Sequence, residues 1–148
     1  MPGPAKLQAA GIVVYKLVEG RILYLLLQTS YMKHHWTPPK GFVDDNEDIL
    51  TTALRETQEE AGLSKADFVL DPTFKESFTY FDPSKQGNKT AHYFLARVAD
   101  PAKVQVTLSG EHQDYKWLDR TEASQYAEHA DMAELFRKAE LFIHSQAL

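Results

Sequence analysis

Two nearly continuous apolar runs are the strongest constraint on how this chain can fold. Residues 9–15 and 22–27 are almost entirely apolar and include several β-branched side chains, and residues 16–21 between them contain Gly20. Short runs of this kind on either side of a turn predict a β-hairpin. Because nearly every position is apolar, and not every second one, both faces of these strands must be covered. The sequence therefore predicts a sheet between layers of helix.

The rest of the chain alternates between strand and helix patterns. Adjacent prolines at 38 and 39 exclude helix from the loop at 29–46. Strands are predicted at residues 73–80, 90–98, 104–108 and 115–118. Helices are predicted at about 48–61, from a capping box at 119–122, and from residue 131. Asp45 or Asn46 can cap the first helix, and Gly62 can end it in the left-handed conformation. This order predicts a mixed α/β fold with a partly antiparallel sheet.

Length and composition limit the class of protein. The 148 residues suit one domain, which we place at 8–148 after a tail at 1–7. The absence of cysteine excludes a disulfide scaffold and a cysteine-ligated zinc site. No stretch approaches the roughly 20 apolar residues that cross a bilayer, and no signal-peptide pattern is present, so we expect a cytoplasmic protein. A net charge of −5 argues against a nucleic-acid partner, and we expect a monomer.

The first predicted helix carries the most informative cluster. Glu56, Glu59 and Glu60 share one side of it, away from a predicted apolar stripe that consists of Leu50, Ala53, Leu54, Thr57 and Ala61. Three carboxylates without a matching set of cations repel one another unless water or a divalent ion relieves the repulsion. Oxygen donors alone suit Mg²⁺ or Mn²⁺. The alternative, from the residues alone, is a solvated helix face.

Residues 41–63 as a whole resemble the Nudix box. In that pattern a glycine is followed after five residues by Glu, and after seven more by Arg-Glu-hydrophobic-any-Glu-Glu-any-Gly-hydrophobic. The matching positions are Gly41, Glu47, Arg55, Glu56, Glu59, Glu60, Gly62 and Leu63. Thr57 departs from it, because the family usually has an aliphatic residue there. The departure affects packing and not a ligand, since Thr57 lies on the predicted buried stripe.

The resemblance implies a fold, a reaction and a set of roles. Nudix domains are α/β/α sandwiches with a mixed sheet, and they hydrolyse a nucleoside diphosphate linked to another group by attack of water on phosphorus. By resemblance, Glu56, Glu59 and Glu60 hold Mg²⁺ (with Mn²⁺ as the alternative), and one of them or a distal glutamate deprotonates the water. Arg55 would orient a carboxylate by a salt bridge, and Glu47 would support the same network.

Glu111 is the distal candidate. It lies in the loop at 109–113, between two predicted strands. Many Nudix enzymes place a further metal ligand or base in such a loop, so the resemblance implies that role for Glu111. The competing interpretation is an exposed loop glutamate.

Three segments narrow the resemblance to one group within the family. Residues 34–41, 53–62 and 111–117 are similar to animal asymmetrical diadenosine tetraphosphate hydrolases, and the second includes Thr57. That group cleaves the tetraphosphate off-centre to ATP and AMP. The alternatives are a Nudix pyrophosphatase for RNA 5′ ends, diphosphoinositol phosphates or ADP-ribose, and a catalytically silent nucleotide-binding module. Outside the box no basic cluster is longer than Arg137-Lys138, which counts against RNA ends, and the intact box counts against silence.

A dinucleoside polyphosphate requires cations for its phosphates and flat surfaces for its purines. The phosphate candidates are His35, Lys40 and Lys89, with Lys85 as a weaker one. Tyr80 can stack an adenine, and Tyr126 can supply the other face of that clamp. Each has a competing interpretation, because surface lysines are usually only solvated and tyrosines at strand ends usually pack in a core. Trp36 and Trp117 are assigned to packing.

The negative charge is concentrated in one segment. Residues 44–62 contain one basic residue, Arg55, and the acidic residues Asp44, Asp45, Glu47, Asp48, Glu56, Glu59 and Glu60. The rest of the chain is therefore close to neutral. The acidity belongs to the predicted metal site, and bound divalent cations would partly neutralise it before an anionic substrate arrives.

Overall fold

The computed structural model describes residues 7–31 and 34–146. Its elements in chain order are β1 (Leu7–Val18), β2 (Arg21–Thr29), β3 (Trp36–Thr37), β4 (Lys40–Phe42), α1 (Ile49–Ala61), β5 (Phe68–Leu70), β6 (Glu76–Asp82), β7 (Gly87–Val98), β8 (His112–Leu118), α2 (Arg120–Ala127) and α3 (Ala130–Gln146). The predicted tail lies outside the described residues except for Leu7, which begins β1, so the domain boundary stays a prediction. No helix in the described ranges has the length and apolar character needed to cross a membrane.

The described strands form one mixed sheet. Its main order is β3-β2-β1-β7-β5, with β4, β6 and β8 paired to β1, β7 and β2. β1 and β7 are parallel, and the other pairings within the described residues are antiparallel. β1 and β2 pair with each other only near their shared turn, over Tyr15–Val18 and Arg21–Tyr24. β3 pairs with the far part of β2 and β4 with the far part of β1, so β4 lies beside the middle of the sheet.

The two apolar runs are buried on both faces, as predicted. Ile12 and Val14 of β1 pack in one core with Ala53 and Ala61 of α1. Val13, on the other face, packs in a second core whose helical members come from α2 and α3, including Ala123, Met132, Leu135 and Phe136. Alternate residues of one strand thus contribute to opposite cores. The predicted α/β sandwich, with a mixed sheet between helices, is confirmed.

The predicted β1–β2 hairpin is confirmed, with longer strands and a tighter turn. Only Glu19 and Gly20 lie between the strands, at φ 52° and 80°. Two consecutive positive φ values are those of a type I′ turn, whose twist matches that of the flanking strands. Glycine adopts this conformation at little cost, whereas Glu19 is strained by it.

The ends of α1 confirm one predicted cap and correct another. Gly62 has φ 71° and ends the helix in the left-handed conformation, as predicted. At the start, Asp48 is the cap, and its Oδ1 accepts a hydrogen bond from the Thr51 amide at 2.8 Å. The prediction of Asp45 or Asn46 was wrong, because the helix begins at Ile49 and only the residue directly before it can reach the free amides of the first turn. Asp119 caps α2 as predicted, since its Oδ1 accepts a hydrogen bond from the Glu122 amide at 2.8 Å.

The predicted strand at residues 104–108 is absent, because this segment lies in no sheet. Val104, Val106 and Leu108 are partly buried against the α1-side core, so the alternation of side chains was correct. The backbone, however, contacts the end of α1, where the Thr107 and Ser109 amides donate to the carbonyls of Ala61 and Glu60 at 2.9 and 3.3 Å. It satisfies carbonyls that the helix leaves without partners. The other predicted strands are present with shifted bounds. The strands β3, β4 and β5 were not predicted, and β3 and β4 lie within the segment interpreted as a loop at 29–46.

Thr57 carries a buried hydroxyl that costs stability. Within the described residues its Oγ1 is the buried side-chain polar atom without a hydrogen-bond partner. Thr57→Val keeps the branched shape and removes that hydroxyl, so we expect the free energy of unfolding to rise by about 1 kcal/mol. Urea unfolding followed by circular dichroism measures it. Thr52→Val is the matched control, because Thr52 is equally buried but donates to Glu47 Oε1 at 2.6 Å, and it should destabilise. A Thr57→Val protein no more stable than the wild type would contradict this account.

Candidate active site

Arg55 and Glu47 form a bidentate ion pair in the candidate site. Arg55 Nε donates to Glu47 Oε2 at 2.8 Å, and Nη2 donates to Oε1 at 2.9 Å. These hydrogen bonds, with one from Thr52, lower the pKa of Glu47 to about 2, and they raise the pKa of Arg55 further. The pair joins α1 to the loop before it, since Glu47 precedes the helix and Arg55 lies in its middle.

The same guanidinium contacts three further carboxylates. Nη1 donates to Glu56 Oε2 at 2.8 Å and lies 3.3 Å from both oxygens of Glu59, while Asp44 is 3.4 Å from Nη2. We expected the helix carboxylates to lack matching cations, and that expectation was wrong for Glu56 and Glu59. Arg55 offsets part of their repulsion, and its ion pair with Glu59 has the i, i+4 spacing of neighbours on a helix.

Gly41 of β4 provides the space in which the Glu56 carboxylate lies. A Cβ at Gly41 would be 2.1 Å from Glu56 Cδ, a distance that two carbon atoms cannot occupy. The Glu56 side chain is only 14% exposed, and this burial raises its pKa. A side chain at position 41 would therefore displace the carboxylate, which explains why a glycine is needed here.

Glu60 lies apart from Arg55, in the most buried part of the site. Its Oε1 accepts a hydrogen bond from the Lys40 backbone amide at 3.0 Å and lies 3.8 Å from His112 Nε2. Burial, with smaller contributions from the charges of Glu56 and Glu111, raises the pKa of Glu60 to about 8, although the Lys40 amide opposes the shift. The charged form of Glu60 is thus unfavourable in the metal-free protein, unlike that of Glu47.

His112 is a site residue that sequence reasoning missed. It is buried at the start of β8, and its Nδ1 lies 3.1 Å from the Ser109 hydroxyl. Burial lowers its pKa, so the neutral imidazole is favoured beside Glu60. The available signal was its position between Glu111 and Gln113, in a segment already recognised as resembling the family.

The carboxylates suit a divalent cation, although they are not yet gathered around one point. Among the described residues, no three acidic or histidine side chains form a ready ligand set. Glu56 and Glu59 face Arg55, whereas Glu60 faces Lys40 and His112. Two buried carboxyl groups with raised pKa values are nevertheless the donors that a hard cation would stabilise in their charged form. The ligand set stays a prediction.

Glu111 lies on the Glu60 side of the site. Its carbonyl accepts a hydrogen bond from the Ser30 amide at 2.9 Å, which attaches the loop before β8 to the end of β2. Its own side chain is exposed, and its charge contributes to the raised pKa of Glu60. The distal carboxylate is therefore near the box, and its role as ligand or base stays a prediction.

Three of the predicted substrate residues come together near Glu60. Tyr80 and Lys89 are paired across β6 and β7, with the Lys89 ammonium 5.2 Å from the centre of the Tyr80 ring. The same ammonium is 4.9 Å from the Phe42 ring centre. Lys40 is close enough to Lys89 for that cation, after burial, to lower the pKa of Lys40. Lys85 is exposed, 5.3 Å from the Phe42 ring centre.

His35 and Tyr126 belong to a second cluster of rings. Tyr126 is 38% exposed and meets Trp36 edge-on with ring centres 5.3 Å apart, and Lys116 lies beneath both rings. The exposed His35 ring lies 6.3 Å from that of His129. Tyr80 instead contacts Phe78 and Lys89, so the clamp between the two tyrosines stays a prediction. Trp36 and Trp117 pack against opposite cores, as predicted.

Comparison with known proteins agrees with this geometry. The family model described as the NUDIX domain matches residues 6–139. An asymmetrical bis(5′-nucleosyl)-tetraphosphatase of Caenorhabditis elegans is 43% identical over 136 residues, which cover 92% of this chain and 96% of that protein. The Sus scrofa protein of the same name is 42% identical over 147 residues, covering 95% and 98%. A crystal structure of a C. elegans Ap4A hydrolase binary complex has a TM-score of 0.89 and 41% identity, covering 94% of this chain and 98% of that one.

Glu60 should make the stability of the metal-free protein depend on pH. Its pKa is about 8 in the folded protein, against an ordinary 4.5 in the unfolded chain, so the folded state holds an additional proton between those values. The stabilisation is fully present below about pH 4.5 and is lost as the pH rises through about 8. Glu60→Gln should remove this dependence, so its stability relative to the wild type should increase with pH across that window.

Urea unfolding in EDTA at pH 5, 6, 7 and 8 measures this difference. Glu19→Gln, at the exposed β1–β2 turn, is the control for the loss of one negative charge. If the Glu60→Gln and wild-type profiles stay parallel across the window, the raised pKa of Glu60 is refuted.

Proposed function

The chain belongs to the NUDIX family, and we propose that it hydrolyses diadenosine tetraphosphate to ATP and AMP with the help of a divalent cation. One observation carries this proposal, namely that two lysines come together near the acidic helix: Lys40, whose backbone amide donates to Glu60, and Lys89, whose charge helps to lower the pKa of Lys40. A metal site alone would suit many phosphorylated ligands, whereas a long phosphate chain also needs fixed cations next to the metal. The likeness to two asymmetrical tetraphosphatases over nearly the whole chain supports the choice of substrate.

We propose that Glu56, Glu59 and Glu60 hold the cation, with Glu111 as a further ligand. Nudix hydrolases generally need divalent metal ions, and the oxygen-only donors favour Mg²⁺, with Mn²⁺ as the alternative. A cation bound there lowers the pKa of the attacking water and offsets charge on the phosphate that leaves.

Arg55 is proposed to position the carboxylates and not to contact the substrate. Its N–H donors are directed at Glu47, Glu56 and Glu59 and at the carbonyl of Phe42, and Asp44 lies 3.4 Å from Nη2 as an additional ion-pair partner. It thereby restricts the rotation of Glu56 and Glu59. In the described part of the chain, Glu60 and Glu111 make no ion pair with Arg55, and one of these two is the carboxylate proposed to accept a proton from water. Because these groups lie close together, their titrations are coupled.

The substrate is proposed to lie across the two ring clusters. Lys40 and Lys89 neutralise part of the phosphate chain, and Tyr80, next to Lys89, stacks one adenine. His35 and Tyr126 are proposed to contact the other end of the nucleotide. Cleavage to ATP and AMP then requires one nucleoside to be held closer to the metal than the other, because an even placement would break the middle of the chain into two ADP.

The proposed partner is the small dinucleoside polyphosphate itself. The monomeric state and the cytoplasmic location stay predictions, and gel filtration and microscopy of the tagged protein would test them. A nucleic-acid partner is disfavoured by the overall charge of −5.

The products of hydrolysis test the proposal directly. Purified protein is mixed with diadenosine tetraphosphate and Mg²⁺, and the nucleotides are separated by chromatography. ATP and AMP in equal amounts support the proposal. Two molecules of ADP would show symmetrical cleavage and contradict it, as would an unchanged substrate, for which RNA 5′ ends, diphosphoinositol phosphates and ADP-ribose would then be assayed.

Removing the charge of a ligand carboxylate should abolish turnover. We expect Glu59→Gln and Glu60→Gln each to reduce kcat by about two or more orders of magnitude, because each removes a donor to the cation. Steady-state assays measure kcat, and circular dichroism shows that the fold persists. Glu122→Gln, an exposed glutamate of α2, is the control. Unchanged kcat in either variant would remove that residue from the mechanism.

Tyr80 should affect binding more than chemistry. Tyr80→Ala removes the proposed stacking surface, so the Michaelis constant should rise by about tenfold while kcat changes much less. Tyr80→Phe, which keeps the ring, should resemble the wild type. The reverse pattern, a fall in kcat with little change in the Michaelis constant, would argue for a catalytic or structural role.

A further inference from the structure

Lys89 is engaged in an ion pair within the β6–β7 hairpin. Its Nζ lies 3.4 Å from Asp82 Oδ2, and the two side chains are only 8% and 14% exposed. Asp82 is the last residue of β6, opposite Gly87, so the pair lies at the base of the hairpin turn. A lysine proposed to bind phosphate is therefore already paired with an internal carboxylate.

The Asp82 carboxylate is held in place by the turn that follows it. Its Oδ1 accepts hydrogen bonds from the Ser84 amide at 3.0 Å and the Ser84 hydroxyl at 2.6 Å. The hydrogen bond from the Ser84 hydroxyl and the charge of Lys89 lower the pKa of Asp82, so it stays ionised at neutral pH. Oδ1 of Asp82 thus stabilises the turn, while Oδ2 faces the Lys89 ammonium.

Lys89 has little freedom to leave this position. The rings of Phe42 and Tyr80 lie 4.9 and 5.2 Å from its ammonium, and the residue as a whole is 6% exposed. Within the described ranges, Asp82 is the carboxylate recorded in an ion pair with it. A phosphate that contacts Lys89 must therefore approach close to the Asp82 carboxylate as well.

We propose that Asp82 competes with phosphate for the Lys89 ammonium and so limits the affinity of the site for polyphosphate ligands, the ATP product included. This inference rests on the proposed function, in which Lys89 binds the phosphate chain. Two anions that share one partly buried cation repel each other, and the repulsion weakens the binding of the incoming one. Asp82 thus weakens ligand retention and speeds product release.

Asp82→Asn separates this role from a structural one. The amide oxygen can still accept both hydrogen bonds from Ser84, so the turn persists while the negative charge is lost. We expect the dissociation constant for ATP, measured by calorimetry in Mg²⁺ buffer, to fall about three- to tenfold, the effect of one partly exposed charge. The Michaelis constant for diadenosine tetraphosphate should fall as well, and kcat should not rise.

Asp71→Asn is the matched control. Asp71 Oδ1 accepts hydrogen bonds from the amide and hydroxyl of Thr73, two residues later, in the same way that Asp82 accepts them from Ser84. It lies beside the other end of β7, where its amide donates to the Leu95 carbonyl. The control variant should bind ATP as the wild type does.

The dependence on Lys89 is tested by a double variant. Lys89→Met alone should weaken ATP binding, and Asp82→Asn should tighten binding less in that background than in the wild type. Unchanged or weaker ATP binding in Asp82→Asn would overturn the proposal, and so would equal tightening with and without Lys89. Hydrolysis of diadenosine tetraphosphate is assayed separately. A wild-type protein that binds ATP without cleaving the dinucleotide would refute the proposed function, and the comparison of ATP binding between variants would still test the role of Asp82.

Discussion

The Arg55 guanidinium is the contact on which the acidic part of the molecule depends. It joins Glu47 in the loop before α1, Glu56 and Glu59 on α1, and the Phe42 carbonyl on β4. Without this cation, several carboxylates within a few ångströms would repel one another and push the loop away from the helix. One partly buried guanidinium therefore helps to fix the arrangement of a strand, a loop and a helix, together with the hydrogen bonds from the Lys40 amide to Glu60 and from Thr52 to Glu47.

Close approach of the backbone is the second condition for this site. Gly41 leaves room for the Glu56 carboxylate, and Gly11 on β1 leaves room for the chain at Pro39, because a Cβ there would lie 2.3 Å from the Pro39 carbonyl oxygen. The second contact brings β4 against β1, and β4 carries Lys40 with its amide on Glu60. The lack of a side chain at Gly11 and at Gly41 thus allows α1 and the lysines to lie close together.

The sequence pattern predicted correctly which faces of the strands and helices are buried, but it did not predict which groups contact one another. The apolar runs of β1 and β2 and the stripe on α1 predicted the sandwich, because periodicity depends directly on which face is covered. The same logic placed residues 104–108 in a strand, since alternation does not distinguish a sheet neighbour from the end of a helix. The resemblance implied a salt bridge from Arg55 to one carboxylate, whereas its simultaneous contacts with Glu47, Glu56 and Glu59 depend on side-chain direction. The pairing of Lys89 with Asp82 depends on a hairpin register that spacing along the chain does not specify. His112 was recognisable only as part of a resembling segment.

The segment at residues 104–109 has a consequence for how this protein can diverge. The same few residues satisfy the last carbonyls of α1, through Thr107 and Ser109, and lead directly into Glu111 and His112. Helix α1 and the loop that carries Glu111 are therefore held together by this segment. An insertion in it would separate Glu60 from Glu111 without disturbing the sheet. Among the described residues, no backbone hydrogen bond of this kind joins the β6–β7 hairpin to α1. The length and the charges of that hairpin can therefore change during evolution to suit a new ligand, whereas the length of the segment at residues 104–109 must stay constant.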